Sequence, residues 1–291
     1  MKQYDVLVIG GGAAGMAAAL AAAERGRRTL LVERERALGG ILNQCLHRGF
    51  GLSWYGEDLS GVEYAERFVR AVESAPVTVQ TGAEVLEIAT DKTTLISAKN
   101  ALFRVAFDQC VLAAGCREKP LGALDVAGTR PAGVFTAGTA QRLVNVGHYS
   151  VGKDVVILGS GDVGQIMARQ LCQSGRRLAA MVEQAAELGG LARNRRDCVE
   201  AYDIPVLLRT TVEAVLGAER VTGVRLRDLD TGEAWDLPCD TLITAVGLVP
   251  DRTLLPVGDV PPWLHLAGNC DYVHDIVDAV TREGLALGEK L

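Results

Sequence analysis

A Gly-x-Gly-x-x-Gly fingerprint occurs twice, each time after an apolar, β-branched run and before a helical stretch. Gly10-Gly11-Gly12-Ala13-Ala14-Gly15 follows Val6-Leu7-Val8-Ile9, and Gly159-Ser160-Gly161-Asp162-Val163-Gly164 follows Val155-Val156-Ile157-Leu158. In such a strand–turn–helix unit the first glycine (Gly10, Gly159) permits the tight turn. The second (Gly12, Gly161) lets the backbone approach a pyrophosphate, and the third (Gly15, Gly164) lets helix and strand pack closely. The pyrophosphate sits at the helix N-terminus, where unpaired N–H groups and the dipole favour negative charge. Roughly 20 residues on, an acidic residue ending the next strand accepts hydrogen bonds from an adenosine ribose. Glu33 and Glu183 stand there, with Arg34 beside the first as a further candidate. One fingerprint alone could be a glycine-rich turn; two in full context predict two dinucleotides on one chain.

The rest of the pattern repeats as well. Strand, helix and strand recur as 4–9, 13–25 and 29–32, and as 154–158, 162–173 and 178–182, each followed by short strands. In the first half these are 77–80, 83–88, 93–97, 102–107 and 109–113; in the second, 206–209, 212–216, 221–228 and 242–246. A helix is expected near 62–73. The turn-rich stretch 120–151 reads as an interdomain passage, and a strand at 263–267 and a helix over 273–287 close the chain. The fold class predicted is α/β with two Rossmann-like, three-layer ββα dinucleotide-binding domains, the second inserted in the first. The boundaries are 1–118 with 244–291 for the first dinucleotide-binding domain, and 119–243 for the second.

Composition narrows the function classes. The net charge of −6 argues against nucleic acid as a partner. No uninterrupted apolar stretch approaches a membrane span, and the chain runs straight into a strand without a signal segment. The seven cysteines form no Cys-x-x-Cys pair or metal-type cluster, which makes a reducing cytoplasm the expected compartment. Glu183 followed by Gln184 would meet a ribose 2′-phosphate with a carboxylate, so NAD(H) is preferred over NADP(H).

On these motifs the chain resembles the two-dinucleotide-binding-domain flavoproteins of the pyridine nucleotide-disulphide oxidoreductase superfamily. Gly10 to Glu33 looks like their FAD fingerprint, and Leu38-Gly39-Gly40 like the loop past the FAD pyrophosphate. Val111 to Gly115, including Ala114, looks like the strand-to-glycine exit from the FAD domain. Leu266-Ala267-Gly268-Asn269 looks like the terminal FAD motif, with Asn269 where the family usually has Asp, and Val273 just beyond. A narrower likeness, over Gly39 to Gly51, Ala114 to Glu118, Thr136 to Gln141 and Gly268 to Asp275, is to FAD-dependent subunits of multi-subunit dehydrogenases. Those include opine oxidase, hydrogen cyanide synthase and the oxidoreductases that accompany glycerol-3-phosphate dehydrogenases.

The resemblance implies hydride exchange between nicotinamide and flavin, with electrons passed to a partner flavoprotein dehydrogenase or an iron–sulphur subunit; a homo-oligomer is compatible with it. The dithiols of disulphide reductases are missing, because Cys45 stands alone after the Gly-Gly turn and 136–140 holds no cysteine. Cys45 reads either as a lone redox thiol, as in single-cysteine NADH oxidases and coenzyme A disulphide reductases, or as a packing residue. His47 reads as an acid/base or anion contact, or as a loop residue. His274, at the expected start of the last helix, reads as a flavin neighbour or a helix-capping residue. Arg193, Arg195 and Arg196 read as a solvated helix face, or as an NAD phosphate or partner contact. A non-catalytic nucleotide-binding assembly subunit is the alternative from another class.

Overall fold

The computed structural model describes residues 1–291, which form two compact units, Met1–Arg117 with Val249–Leu291, and Glu118–Leu248. The first unit opens with β1 (Lys2–Ile9), α1 (Ala13–Glu24) and β2 (Thr29–Glu33). A small hairpin of β3 (Arg48–Phe50) and β4 (Leu59–Ser60) leads to α2 (Gly61–Ser74), then β5 (Val77–Thr81), β6 (Ala83–Ile88), β7 (Thr93–Ala98) and β8 (Ala101–Leu112). After β9 (Cys116–Glu118) come β10 (Ala127–Gly128), β11 (Val134–Thr136), α3 (Ala137–Asn145), β12 (Asp154–Leu158), α4 (Asp162–Gln173) and β13 (Arg177–Val182). The short α5 (Ala192–Asn194) precedes β14 (Val206–Leu207), β15 (Thr210–Leu216), β16 (Gly223–Asp228), β17 (Ala234–Pro238) and β18 (Thr241–Thr244). The chain returns through β19 (Leu248–Pro250) to β20 (Leu264–Leu266) and α6 (Val277–Gly288).

The first unit's sheet runs β5-β2-β1-β8-β7-β6. The expected pair of strands 102–107 and 109–113 is one long β8. One edge of β8 pairs with β1 from Val105 to Leu112. The other pairs antiparallel with β7 near its start and parallel with β20 near its end. Asp108 interrupts the apolar pattern without breaking the strand, because its side chain is exposed. Both faces of β1 and β2 are buried, so their sequences read as apolar runs rather than alternations. Val6, Val8 and Leu31 face α1 and α2; Leu7, Ile9, Leu30 and Val32 face the β6–β7 side. Each such side chain contributes about 1.5–3 kcal/mol by burial.

Helix α1 is apolar all round because it is buried all round, between the sheet and α6. A Cβ on Gly284 or Gly288 of α6 would overlap the carbonyl oxygens of Ala14 or Ala18. The two helices therefore meet backbone to backbone. Helix α2 is held by a capping box: Ser60 Oγ accepts from Glu63 N–H at 3.2 Å, and the Glu63 carboxylate accepts from Ser60 N–H at 2.7 Å.

The second unit has a five-stranded parallel sheet, β11-β18-β12-β13-β14, and a four-stranded sheet, β10-β15-β16-β17. Along β12, Val155 and Ile157 pack on α3 and α4, whereas Val156 and Leu158 pack on β15 and β16. That places helices on one face and the second sheet on the other, the three-layer arrangement expected from the sequence.

Three expectations need correction. The stretch 120–151 is not only a passage: it contains α3, hidden by the surrounding Gly and Pro. Strand β17 was absent from the expected set. Helix α6 begins at Val277 rather than 273, because the segment before it is held in turns by Gly268 and Asn269. The second unit also retains 244–248, where Lys119 N–H donates to the Gly247 carbonyl at 3.0 Å.

Candidate functional site

The two fingerprints fold alike, bond for bond. Gly10 and Gly159 have φ of +103° and +101°, and a Cβ on either would overlap the carbonyl of Ala113 or Ala245. Each donates its N–H at 2.8 Å to the next strand, Gly10 to Val32 and Gly159 to Val182. A Cβ on Gly15 or Gly164 would overlap the carbonyl oxygen of Gly10 or Gly159. The middle glycines differ in kind: nothing lies within 4 Å of a Cβ on Gly12 or Gly161. Neither has a side chain with which to cap its helix, so the first N–H groups of α1 and α4 lack an N-cap acceptor. That cradle fits a pyrophosphate in both units.

The carboxylates sit symmetrically too. Glu33 is buried and accepts from Gly11 N–H at 2.6 Å and Glu35 N–H at 2.7 Å. Glu183 accepts from Ser160 N–H at 3.0 Å, Ser160 Oγ at 2.6 Å and Ala185 N–H at 2.9 Å. Burial works to raise the Glu183 carboxyl, but the bonds from Ser160 and Ala185 outweigh it and hold it below its ordinary value. It therefore stays charged at neutral pH. Arg34 is exposed beside Glu33. Arg177 is paired with Asp154 at 2.5 Å, at the opposite end of β13 from Glu183.

A second repeat, visible in the sequence, takes its meaning from the fold. Leu38-Gly39-Gly40 recurs as Leu188-Gly189-Gly190, and both turns fold over their fingerprints. Gly39 N–H donates to the Gly11 carbonyl at 2.8 Å, and Gly189 N–H to Ser160 Oγ at 2.9 Å. Gly40 lies against Gly12, and Gly190 against Asp162. Of the basic cluster, Arg195 donates to the Leu188 carbonyl at 2.6 Å and anchors that turn. Arg196 pairs with Asp197, and Arg193 is exposed.

Around the first fingerprint the remaining candidates converge. Ala113 N–H donates to Ile9 and runs the chain into Ala114 and Gly115, and a Cβ on Gly115 would meet open space. Gly268 packs on Ala14, and Asn269 Nδ2 donates to Cys116 Sγ at 3.7 Å. Val273 is half-buried in the same segment. His274 lies before α6, not on it. Its main-chain N–H donates to Asn269 Oδ1 at 2.9 Å, and its Nε2 lies 2.5 Å from Glu283 Oε2.

Cys45 is buried, and its thiol donates to the Ile41 carbonyl at 3.4 Å. Gly61, at the start of α2, presses against it. Burial pushes this thiol up to about 12, so almost none is thiolate at neutral pH. His47 packs against Phe50 with ring centroids 5.0 Å apart and planes tilted by 41°, its Nδ1 3.1 Å from the Arg48 carbonyl. Both side chains pack the loop that carries them.

An ion pair missed in the sequence fastens the return segment. Arg117 donates to both oxygens of Asp251 at 2.9 and 3.0 Å, and Thr253 Oγ1 adds a bond at 2.7 Å. The Arg117 guanidinium holds the Asp251 carboxyl down to about 2. Since the folded value lies below the ordinary 3.8, this stabilisation is complete above that pH and is lost as pH falls through about 2. Asp251→Asn is expected to lower unfolding free energy by about 1–2 kcal/mol at pH 7. In denaturant titrations the gap from wild type should close between pH 4 and pH 2; a gap constant with pH would contradict the pairing.

The fold and the paired cradles agree with comparison to known proteins. The pyridine nucleotide-disulphide oxidoreductase family model matches residues 4–261. The chain belongs to that family. It is similar to thioredoxin reductase of Treponema pallidum (strain Nichols), 29% identical over 273 residues, covering 87% of this chain and 79% of the relative. It is also similar to hydrogen cyanide synthase subunit HcnB of Pseudomonas protegens, 31% identical over 193 residues, 64% of this chain but only 39% of the relative. The solved thioredoxin reductase of T. acidophilum superposes with a TM-score of 0.79 at 21% identity, covering 99% and 97% of the two chains. FAD and NAD(P)H are the cofactors of the family, and the chain is an FAD-dependent, NAD(P)-linked oxidoreductase. No helix is long and apolar enough to cross a membrane.

Proposed function

We propose that the first unit holds FAD and the second NAD(H), and that electrons leave for a partner subunit without a redox-active disulphide. The carrying observation is the duplicated cradle: open space over Gly12 and Gly161, with Glu33 and Glu183 placed alike beside them. In this reading the first fingerprint, Glu33, Arg34 and Gly40 take the adenosine and pyrophosphate of FAD. Ala114, Gly115, Gly268, Asn269 and Val273 line the remainder. Gly159, Gly161, Gly164 and Glu183 take NAD(H), and the charged Glu183 disfavours a 2′-phosphate. The bound cofactors supply the hydride chemistry, so the protein binds and orients and no side chain need act as acid or base.

The lone, buried Cys45 supports an electron-transfer role over a single-cysteine reductase. Likeness to a named synthase subunit supports a partner, of the flavoprotein or iron–sulphur kind. Kinship with the opine oxidase and glycerol-3-phosphate dehydrogenase-associated subunits, and a cytoplasmic setting, belong to the same reading. Cys45→Ser tests it. NADH turnover with an artificial acceptor should stay within about twofold of wild type, as expected for a thiol outside the chemistry. Loss of turnover would restore the thiol mechanism.

A further inference from the structure

We propose that Glu283 is a positioning residue for the flavin site, acting through His274 and Gly268 on Asn269; this rests on the reading that the first unit binds FAD. Glu283 lies on α6 beside Gly284, where that helix meets the backbone of α1 at Ala14, within the fingerprint. Its two carboxylate oxygens do different things. Oε1 accepts from the Gly268 N–H at 3.0 Å, and Oε2 faces His274 Nε2 at 2.5 Å. His274 returns to the same turn through its main-chain N–H, which donates to Asn269 Oδ1 at 2.9 Å. Tyr272 packs edge-on against the His274 ring, with centroids 5.5 Å apart.

The result is a closed circuit, Gly268 to Glu283 to His274 to Asn269. It begins and ends on adjacent residues of the turn that stands in the terminal FAD motif. The circuit fixes which way the Asn269 amide faces. With Oδ1 taken by His274 N–H, Nδ2 is the end left to donate, and it is directed toward Cys116, next to the Gly115 opening. An unfastened amide could rotate and present oxygen instead. In place of the carboxylate usual in the family, this chain therefore offers a neutral donor whose orientation is set from a helix nine residues beyond His274.

The test is FAD affinity of the apoprotein, read by quenching of flavin fluorescence, with NADH affinity as a control in the second unit. Glu283→Ala should weaken FAD binding about tenfold, the size expected for losing a charge-assisted anchor. Glu283→Gln retains an acceptor for Gly268 N–H and a polar partner for His274, so it should bind within about threefold of wild type. His274→Ala, which keeps the main-chain bond to Asn269, should fall between them. In a double-mutant cycle, Glu283→Ala should add little once Asn269 is alanine, because the two act as one unit. Additive effects, or unchanged FAD affinity in Glu283→Ala, would overturn the proposal alone. Wild-type apoprotein that takes up no FAD would overturn it together with the reading on which it rests.

Discussion

Gly12→Asp is expected to leave the apoprotein folded while lowering its FAD affinity at least about 100-fold, which corresponds to some 2.7 kcal/mol. Gly12 has φ −79° and ψ −170°, a conformation open to any residue, and its Cβ would meet nothing within 4 Å. Aspartate is also a favoured N-cap, so α1 should lose no stability. On the proposed FAD site, however, the carboxylate would stand at the pyrophosphate, adding bulk and like charge; at about 4 Å each such charge pair costs about 4 kcal/mol near a protein surface. Gly15→Ala should do the reverse of a clean binding defect. Its Cβ would overlap the Gly10 carbonyl oxygen, forcing helix and strand apart, and strain of this kind costs about 1–3 kcal/mol or more. Thermal melting of the apoproteins and flavin content after reconstitution separate the two. Full flavin content in Gly12→Asp would show that the pyrophosphate does not cross this loop.

Coenzyme preference should reverse when the second cradle loses its charge. Glu183→Gln with Gln184→Arg is expected to raise the KM for NADH about tenfold and lower that for NADPH about 100-fold, shifts of roughly 1.4 and 2.7 kcal/mol. The carboxylate has most of its acceptor capacity committed to Ser160 and Ala185, which holds it in place and charged. Glutamine keeps an acceptor for the Ser160 loop while removing the repulsion, and arginine supplies a bidentate phosphate partner. Steady-state kinetics with both coenzymes measure the change. An unchanged ratio would mean that Glu183 does not face the ribose.

The fold was legible because its strands are buried on both faces and its glycines have distinct steric jobs. Val6 to Ile9 and Val155 to Leu158 announce parallel strands by composition alone, and the glycine spacing announces the tight turn and helix after each. Less legible was whatever depends on partners distant in sequence. Strand β8 could not be read as continuous, since its two ends pair with different strands. Helix α3 was masked by Gly138 and the glycines and prolines before it. The repeat of Leu-Gly-Gly at 188–190 was visible but carried no meaning until both turns were seen over their fingerprints.

The site divides in the same way. Glycines and terminal glutamates betray themselves by spacing, because their role is set by the backbone nearby. Arg117 with Asp251, and Glu283 with Gly268 and His274, give no local signal. The first pairing is made by the return of the chain across 134 residues, the second by the turn that leads into α6. Cys45 and His47 suggest chemistry by residue type; the structure adds that the Cys45 thiol is buried and pushed up to about 12 and that the His47 ring packs against Phe50.

The central claim is that one chain holds both dinucleotides in electronic communication. An anaerobic titration of the FAD-loaded protein with NADH, monitored by flavin absorbance, tests it most directly. Bleaching should be complete near one NADH per flavin, in wild type and in Cys45→Ser alike, since the two-electron transfer needs no thiol. Flavin that stays bound and oxidised in excess NADH would contradict it.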